Sequence, residues 1–425
     1  MLKREDNERI TRTGPGTPMG EVFRRYWIPA LLSEELPEPD CPPVRVRLLG
    51  EDLVAFRDSS GRVGLLDAYC PHRRAHLFWG RNEECGLRCV YHGWKFDVEG
   101  RCVDMPNEPP ESNFKHKVRT TAYPCWEGGG VVWTYMGPPE LQPQLPDYEW
   151  LRAPATHRYV SKTFEDCNYL QALEGGIDTS HSSFAHNNNL QDKKALRTRA
   201  PAPKLEVYKT SYGFQYVGLR DLGEDGLYVR AYQFIMPFQQ MRGYMTNWST
   251  GEPEKYPSIN GHIWVPVDDY HCVVYNWMYS AYPDKELPLE YCIEHETLFG
   301  RGPNDVMPDN KYRLIRNRSN DYLIDRQVQK TKTFTGIQGI NTQDFALQET
   351  MEPIVDRSKE RLGSADAAII VARQLLLEAT RDVEAGKMPR GTDPEAYRNV
   401  RGCDHIIPKG VAWQEALKEE LTARY

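Results

Sequence analysis

The chain has no long apolar run. Nowhere in its 425 residues do 18 apolar residues stand together, so no transmembrane helix is expected. It has no basic surplus either. The formal net charge is −7 and the pI near 5.9, so neither nucleic acid nor an anionic membrane is an expected partner. The start, Met1-Leu2-Lys3-Arg4-Glu5-Asp6-Asn7-Glu8-Arg9, is too acidic and polar for a signal peptide, and a cytoplasmic location is expected. The ten cysteines are scattered and do not form a disulfide framework; reduced thiols or metal ligands are the better reading. There is no internal repeat and no low-complexity tract. What is present is an ordinary globular composition, 40 % hydrophobic and 27 % charged, in a chain long enough for two or three domains.

Residues 1–26 read as a helical lead-in expected to pack on the larger, second domain. Thr17-Pro18-Met19-Gly20-Glu21 has the look of a helix start, with Thr17 as N-cap and Pro18 at the first helical position. From 27 the texture becomes β. Val44–Leu49 and Leu53–Arg57 alternate in polarity and are split by Gly50, and short strands run on to Val131–Tyr135. Gly137-Pro138-Pro139 through Pro146 is a composition shift, so a small antiparallel β domain is expected over 27–145 and a second domain over 146–425. In the second domain a helix is expected over 165–185. Strand candidates are 205–219, 227–236, 262–267 and 272–279. The clearest helix spans 364–385, with Ser364 as N-cap and Ile369, Ala372, Leu376, Ala379 and Val383 on one apolar face. The fold class is therefore α+β.

Two constellations carry chemistry. In the β domain, Cys70-Pro71-His72 is followed, after sixteen intervening residues, by Cys89-Val90-Tyr91-His92. Two thiolates and two imidazoles suit zinc or an iron–sulfur cluster. In a Rieske [2Fe–2S] centre two cysteines hold one iron and two histidines the other. Each arm here offers one of each, as two opposed loops clamping a flat cluster would. Cys-x-His is too short for the usual zinc knuckle, though a zinc site stays open as the alternative.

The second constellation is Asp178-Thr179-Ser180-His181-Ser182-Ser183-Phe184-Ala185-His186. Two imidazoles and a carboxylate make the facial triad of non-haem Fe(II) oxygenases. Residues five apart lie roughly 140° apart around a straight helix, so His181 and His186 share a metal only if the helix opens near Ser182-Ser183. Asn187-Asn188-Asn189 reads as its terminus. Two unconnected surface histidines are the bland alternative. Together the two sites make sense as an oxygen-activating iron and the relay that feeds it electrons.

The sequence resembles the Rieske non-haem iron aromatic-ring-hydroxylating oxygenases, large (α) subunit, and is most similar to their phthalate dioxygenase branch. The likeness rests on Thr13–Gly20, Arg25–Ala30, Tyr91–Asp97, Trp133–Pro138, 168–186, Gln343-Asp344 and Asp356–Asp366. It implies a β Rieske domain plus a larger helix-grip catalytic domain of antiparallel sheet and helices. It implies that Cys70, His72, Cys89 and His92 hold the cluster, and that His181, His186 and Asp344 hold mononuclear Fe(II). Asp344 is one of 60 acidic residues and is picked out by the resemblance alone. Asp178 matches the aspartate that links one subunit's cluster to the next subunit's iron. Asn168 matches a polar residue near the iron, with a buried structural amide as the alternative. Ser182 matches a substrate-contacting position.

The implied reaction uses O₂ and electrons from NAD(P)H, delivered by a separate flavin/iron–sulfur reductase, to dihydroxylate a phthalate- or benzoate-like acid. The implied assembly is a homotrimer or a stacked pair of trimers. Members of the branch mostly act on aromatic carboxylates, and a carboxylate calls for arginine. Arg220, Arg230 and Arg242 are the candidates. The remaining histidines, His262 and His295 among them, and the other eight cysteines are expected to be structural. Asn276 and Trp277 are expected in the core. One departure from the branch is Arg74, where glycine is usual, and the loop beside His72 is expected to differ in shape. The near rival is a monooxygenase or O-demethylase acting on a methoxybenzoate or aryl ether. The distant one is a plain electron carrier with a ligand-binding domain.

Overall fold

A computed structural model describes residues 2–308 and 312–425. The chain divides into two compact units, Thr13–Pro143 and Met1–Arg12 with Gln144–Tyr425. The smaller unit is all antiparallel. One sheet pairs Trp27–Leu32, Val131–Tyr135 and Cys125–Gly128. A second pairs Val44–Leu48, Glu51–Arg57, Val63–Asp67 and Ala122–Tyr123. A third, small one pairs Arg81–Glu83, Gly86–Arg88, Lys95–Phe96 and Cys102–Asp104. Thr17 does cap the helix Pro18–Phe23, its hydroxyl accepting from the Gly20 amide. Val54, Phe56, Leu66, Leu77, Leu87 and Phe96 form one core, and Cys70, Cys89 and Trp94 are buried in it. The two Cys/His arms therefore start from packed ground.

The larger unit is built on one eight-stranded antiparallel sheet. Its order is Arg158–Glu165, Cys272–Ser280, Pro253–Pro266, Gln239–Thr246, Leu227–Ile235, Gly213–Asp221 and Lys204–Lys209, with Cys403–Ile407 added on Leu227–Ile235. Pro257–Pro266, Tyr228–Ile235 and Val274–Ser280 are buried without alternation, as in a sheet whose two faces are both covered. Helices Tyr169–Ile177 and Ile340–Gln348 pack on each other, and the former packs on Pro253–Pro266. That approach is close: a Cβ on Gly176 would lie 2.1 Å from the Trp264 ring.

Several expected boundaries move. The 165–185 helix is only Tyr169–Ile177, and the chain turns through a 3₁₀ turn at His181–Ser183. The helix thus ends before the first histidine, not between the two, because Asp178 leaves the helical region at φ −68°, ψ 129°. The 205–219 segment is a hairpin that turns over Thr210–Tyr212. The helix of 364–385 is Ala367–Glu384, preceded by a 3₁₀ turn over Ser364–Asp366, and Ser364 makes no cap. Asn168 is the structural amide. Its Oδ1 caps the Leu170 amide while its Nδ2 donates to Thr11 O and Asp269 O.

Candidate metal centres

In the smaller unit the two arms repeat one backbone design. The Arg74 amide donates to Cys70 O (2.8 Å) and the Gly93 amide to Cys89 O (2.9 Å). The Cys70 amide donates to Ala75 O and the Cys89 amide to Trp94 O. Each arm closes on a left-handed residue, Arg74 at φ 62° and Gly93 at φ 81°. Arg74 accepts the strained conformation, its guanidinium 4.7 Å from the Tyr69 ring and 3.5 Å from Asp67.

The arms bring four donors together. The His72 and His92 rings are 4.4 Å apart, and His72 stacks on Trp94 at 4.4 Å and 8°. The Cys70 thiol hydrogen-bonds Cys89. With the Tyr91 and His92 amides this holds the Cys89 thiol down to about 6 against the cost of burial. His72 Nδ1 is buried without a partner. Cysteine sulfurs facing amides, beside a buried imidazole nitrogen with nothing to bond, fit a clamped cluster.

In the larger unit His181, His186 and Asp344 converge, their ligand atoms all within 4.8 Å of one another. His181 Nε2 lies 3.0 Å from His186 Nε2, and Asp344 Oδ1 lies 3.5 Å and 3.3 Å from them. Each group is oriented from behind. Gln343 Nε2 donates to Asn188 Oδ1 and Ile337 O, so its Oε1 is left to accept from His186 Nδ1 at 2.9 Å. His186 Nε2 therefore presents a lone pair. Asp178 Oδ2 stands 3.6 Å from His181 Nδ1, while its Oδ1 accepts from the Ser180 amide and hydroxyl. Asn341 Nδ2 donates to Asp344 Oδ2, and Arg301 holds Asn341 Oδ1 at 2.6 Å. Two imidazole lone pairs and a carboxylate oxygen repel one another at these distances. A divalent cation removes the repulsion, and outer hydrogen bonds of this kind are what orient metal ligands.

The same three residues line a pocket with Ser182, Arg230 and Arg242. Arg242 donates to Asn260 Oδ1 (2.8 Å) and lies 2.9 Å from His262 Nε2; Arg230 reaches Gly243 O and stacks 4.2 Å over Trp248. Neither has a carboxylate within 4 Å among the described residues. Burial, then the neighbouring Arg230 charge, lowers Arg242 to about 10. Arg220 does not reach the pocket; it bonds Ser183 Oγ and Thr179 O. His262 and Asn276, expected to be structural or core, both line the pocket, and Asn276 Oδ1 accepts from Arg301. No spacing rule marks them: they come from neighbouring strands and meet only through sheet register, His262 opposite Asn276.

A cysteine–histidine clamp on a β unit and a two-histidine, one-carboxylate cluster on a helix-covered sheet define a redox metalloprotein that activates a small molecule. Comparison with known proteins supplies the family. Residues 26–124 match the Rieske [2Fe-2S] domain and residues 134–423 the LigXa C-terminal domain like family. The chain is 40 % identical over 432 residues to the phthalate 4,5-dioxygenase oxygenase subunit of Pseudomonas putida, covering 98 % of this chain and 94 % of that one. It is 40 % identical over 445 residues to the 3-chlorobenzoate-3,4-dioxygenase oxygenase subunit of Comamonas testosteroni, covering 99 % of each. The fold is shared with dicamba monooxygenase bound to dicamba, at TM-score 0.60 and 20 % identity over 86 % of this chain and 99 % of that one. The chain belongs to the Rieske non-haem iron oxygenases, with a [2Fe–2S] domain followed by a LigXa-type catalytic domain.

Proposed function

We propose that the protein is the terminal oxygenase component of a multicomponent system that dihydroxylates an aromatic carboxylate. Cys70 and Cys89 would hold one cluster iron and His72 and His92 the other; His181, His186 and Asp344 would hold Fe(II). The observation that carries the substrate reading is the pairing of the triad with two guanidiniums, Arg230 and Arg242, that lack carboxylate partners and line one pocket. Asp404 acts on Arg230 from beyond ion-pair distance, whereas Arg242 sits among like charges; a buried cation so placed is expensive, and a substrate carboxylate supplies its counter-ion.

The cluster supplies single electrons and the mononuclear iron supplies O₂ reduction when bound. Overall, one arene, one O₂, one NAD(P)H and one proton give a cis-dihydrodiol and NAD(P)⁺. This chain's residues do the positioning. Arg230 and Arg242 anchor the acid and turn its ring toward the triad. Trp248, Phe299 and Trp264 give the ring apolar walls. Ser182, beside a ligand histidine, donates its hydroxyl to the substrate, turning it from Thr179 O. The Asp178 charge, 3.6 Å from His181 Nδ1, favours the tautomer with the proton on that nitrogen. The Asp178 side chain is 20 % exposed, which leaves it open to a cluster histidine of a second copy in a homotrimer or paired trimers. The electron donor is a separate flavin/iron–sulfur reductase, and the location is cytoplasmic. No helix among the described residues is long and apolar enough to cross a membrane.

The test is NADH and O₂ consumption with a reductase and a panel of benzoates, phthalates and methoxybenzoates. Stimulation by at least one acid is expected. Indifference to every acid contradicts the reading.

A further inference from the structure

The segment that carries both histidines is held by tertiary contacts, not by a helix. From Asp178 to His186 its only regular element is the three-residue 3₁₀ turn His181–Ser183. Two arginines grip its carbonyls. Arg220 Nη2 donates to Thr179 O at 3.0 Å and Nη1 to Ser183 Oγ at 3.1 Å. Arg197 Nη1 donates to Ser182 O at 3.3 Å and to His186 O at 3.0 Å. Neither has a carboxylate within 4 Å among the described residues, so their charge is directed to the turn. Arg220 ends there. Arg197 also stacks 4.4 Å over Trp248, and Arg230 stacks 4.2 Å over the same ring. One indole therefore joins the guanidinium at the pocket wall to the guanidinium on the histidine turn.

We propose that Arg197 is a positioning residue that fixes the His181–His186 turn and, through Trp248, couples occupancy of the Arg230 end of the pocket to the geometry of the metal site. Arg220 is the static counterpart, bracing the turn without touching the pocket. The coupling half rests on the anionic-substrate reading above; the bracing half does not. A bound carboxylate neutralises Arg230, changes the cation–π balance at Trp248 and so shifts how firmly Arg197 holds the His186 carbonyl.

The experiment uses the full chain with its cluster, the mononuclear site loaded with Co(II), and phthalate as the probe. Arg197→Gln should keep the cluster spectrum and bind Co(II) about 10-fold more weakly, the scale on which groups orienting a metal ligand act. Arg197→Lys should recover part of that loss and carries the comparison if the glutamine variant does not fold. In the wild type, phthalate should shift the Co(II) visible bands. In Arg197→Gln phthalate should still bind, with the bands unmoved, whereas Arg230→Gln should weaken phthalate binding itself. Wild-type Co(II) affinity together with a wild-type band shift in Arg197→Gln overturns the proposal. So does a loss of phthalate binding as large as that in Arg230→Gln, which would make Arg197 a substrate contact. If neither phthalate nor benzoate binds the wild type, the substrate reading and the coupling fall together. The Co(II) affinities then decide the brace on their own.

Discussion

Arg74 and Gly93 occupy the same place in two cluster arms and adopt the same left-handed backbone. For an L-residue that conformation costs about 1–2 kcal/mol, and at Arg74 the contacts to Tyr69 and Asp67 offset part of it. Arg74→Gly should keep the red-brown cluster spectrum and raise stability by up to about 1 kcal/mol. A loss of cluster would show that the arginine does more than tolerate the turn. Asp178 and His181 make a sharper pair. His181→Ala should lose the mononuclear metal and keep the cluster spectrum. Asp178→Ala should keep both metals and lose about 10- to 100-fold in turnover, as outer partners of metal ligands do. Metal analysis with turnover separates the two, and full activity in Asp178→Ala would remove it from the electron route.

Glu296 supports the triad from further out, through Arg301 and Asn341 to Asp344. Burial pushes its carboxyl up, but Arg301 outweighs this and holds it down to about 2. A depressed carboxylate stabilises the fold above its unfolded pKa, near 4.3, and that stability drains away as pH falls toward the folded value. Glu296→Gln leaves Arg301 buried and unpaired and should cost about 3 kcal/mol at neutral pH. Denaturant melts at pH 7 and at pH 3.5 should show the gap to wild type narrowing in acid. A gap independent of pH contradicts the ion-pair account.

Among the elements, legibility follows the range of the interaction that decides each one. The Pro18 helix start and the apolar face of 364–385 are local patterns, and the structure keeps both within a few residues. The Cys70–His92 arms are also local, since each is one short loop. The histidine turn is not. Its opening was readable from the five-residue spacing, but its position was placed too late. The helix ends at Asp178, and the turn after it is held by arginines 11 to 41 residues away, which no local signal marks. The strands Gln239–Thr246 and Cys403–Ile407 went unread because sheet pairing, not periodicity, defines them. Asn276 looked like core because every residue around it is buried on both faces. Asp344 needed family resemblance, as its place beside the histidines depends on a helix that meets them across more than 150 residues. The close seat of Tyr169–Ile177 gives a test at this scale. Gly176→Ala meets the Trp264 ring and should destabilise by about 1–3 kcal/mol, read by thermal melting, and lower metal content with it.

At the scale of the whole molecule, the account puts the two redox centres to work together in an assembly. If electrons pass between subunits, chains lacking one centre should complement chains lacking the other. Co-expressed His92→Ala and His181→Ala subunits should form mixed assemblies whose turnover far exceeds that of the two variants expressed apart. Absence of any recovery would confine electron flow to single chains. The reaction itself is the central claim, and isotope labelling reaches it most directly. With ¹⁸O₂, the reductase and the aromatic acid that best stimulates turnover, mass analysis of the product should show two labelled oxygens and two added hydrogens on the intact acid. A single labelled oxygen, or formaldehyde released from a methoxy acid, would contradict dihydroxylation and make the protein a monooxygenase.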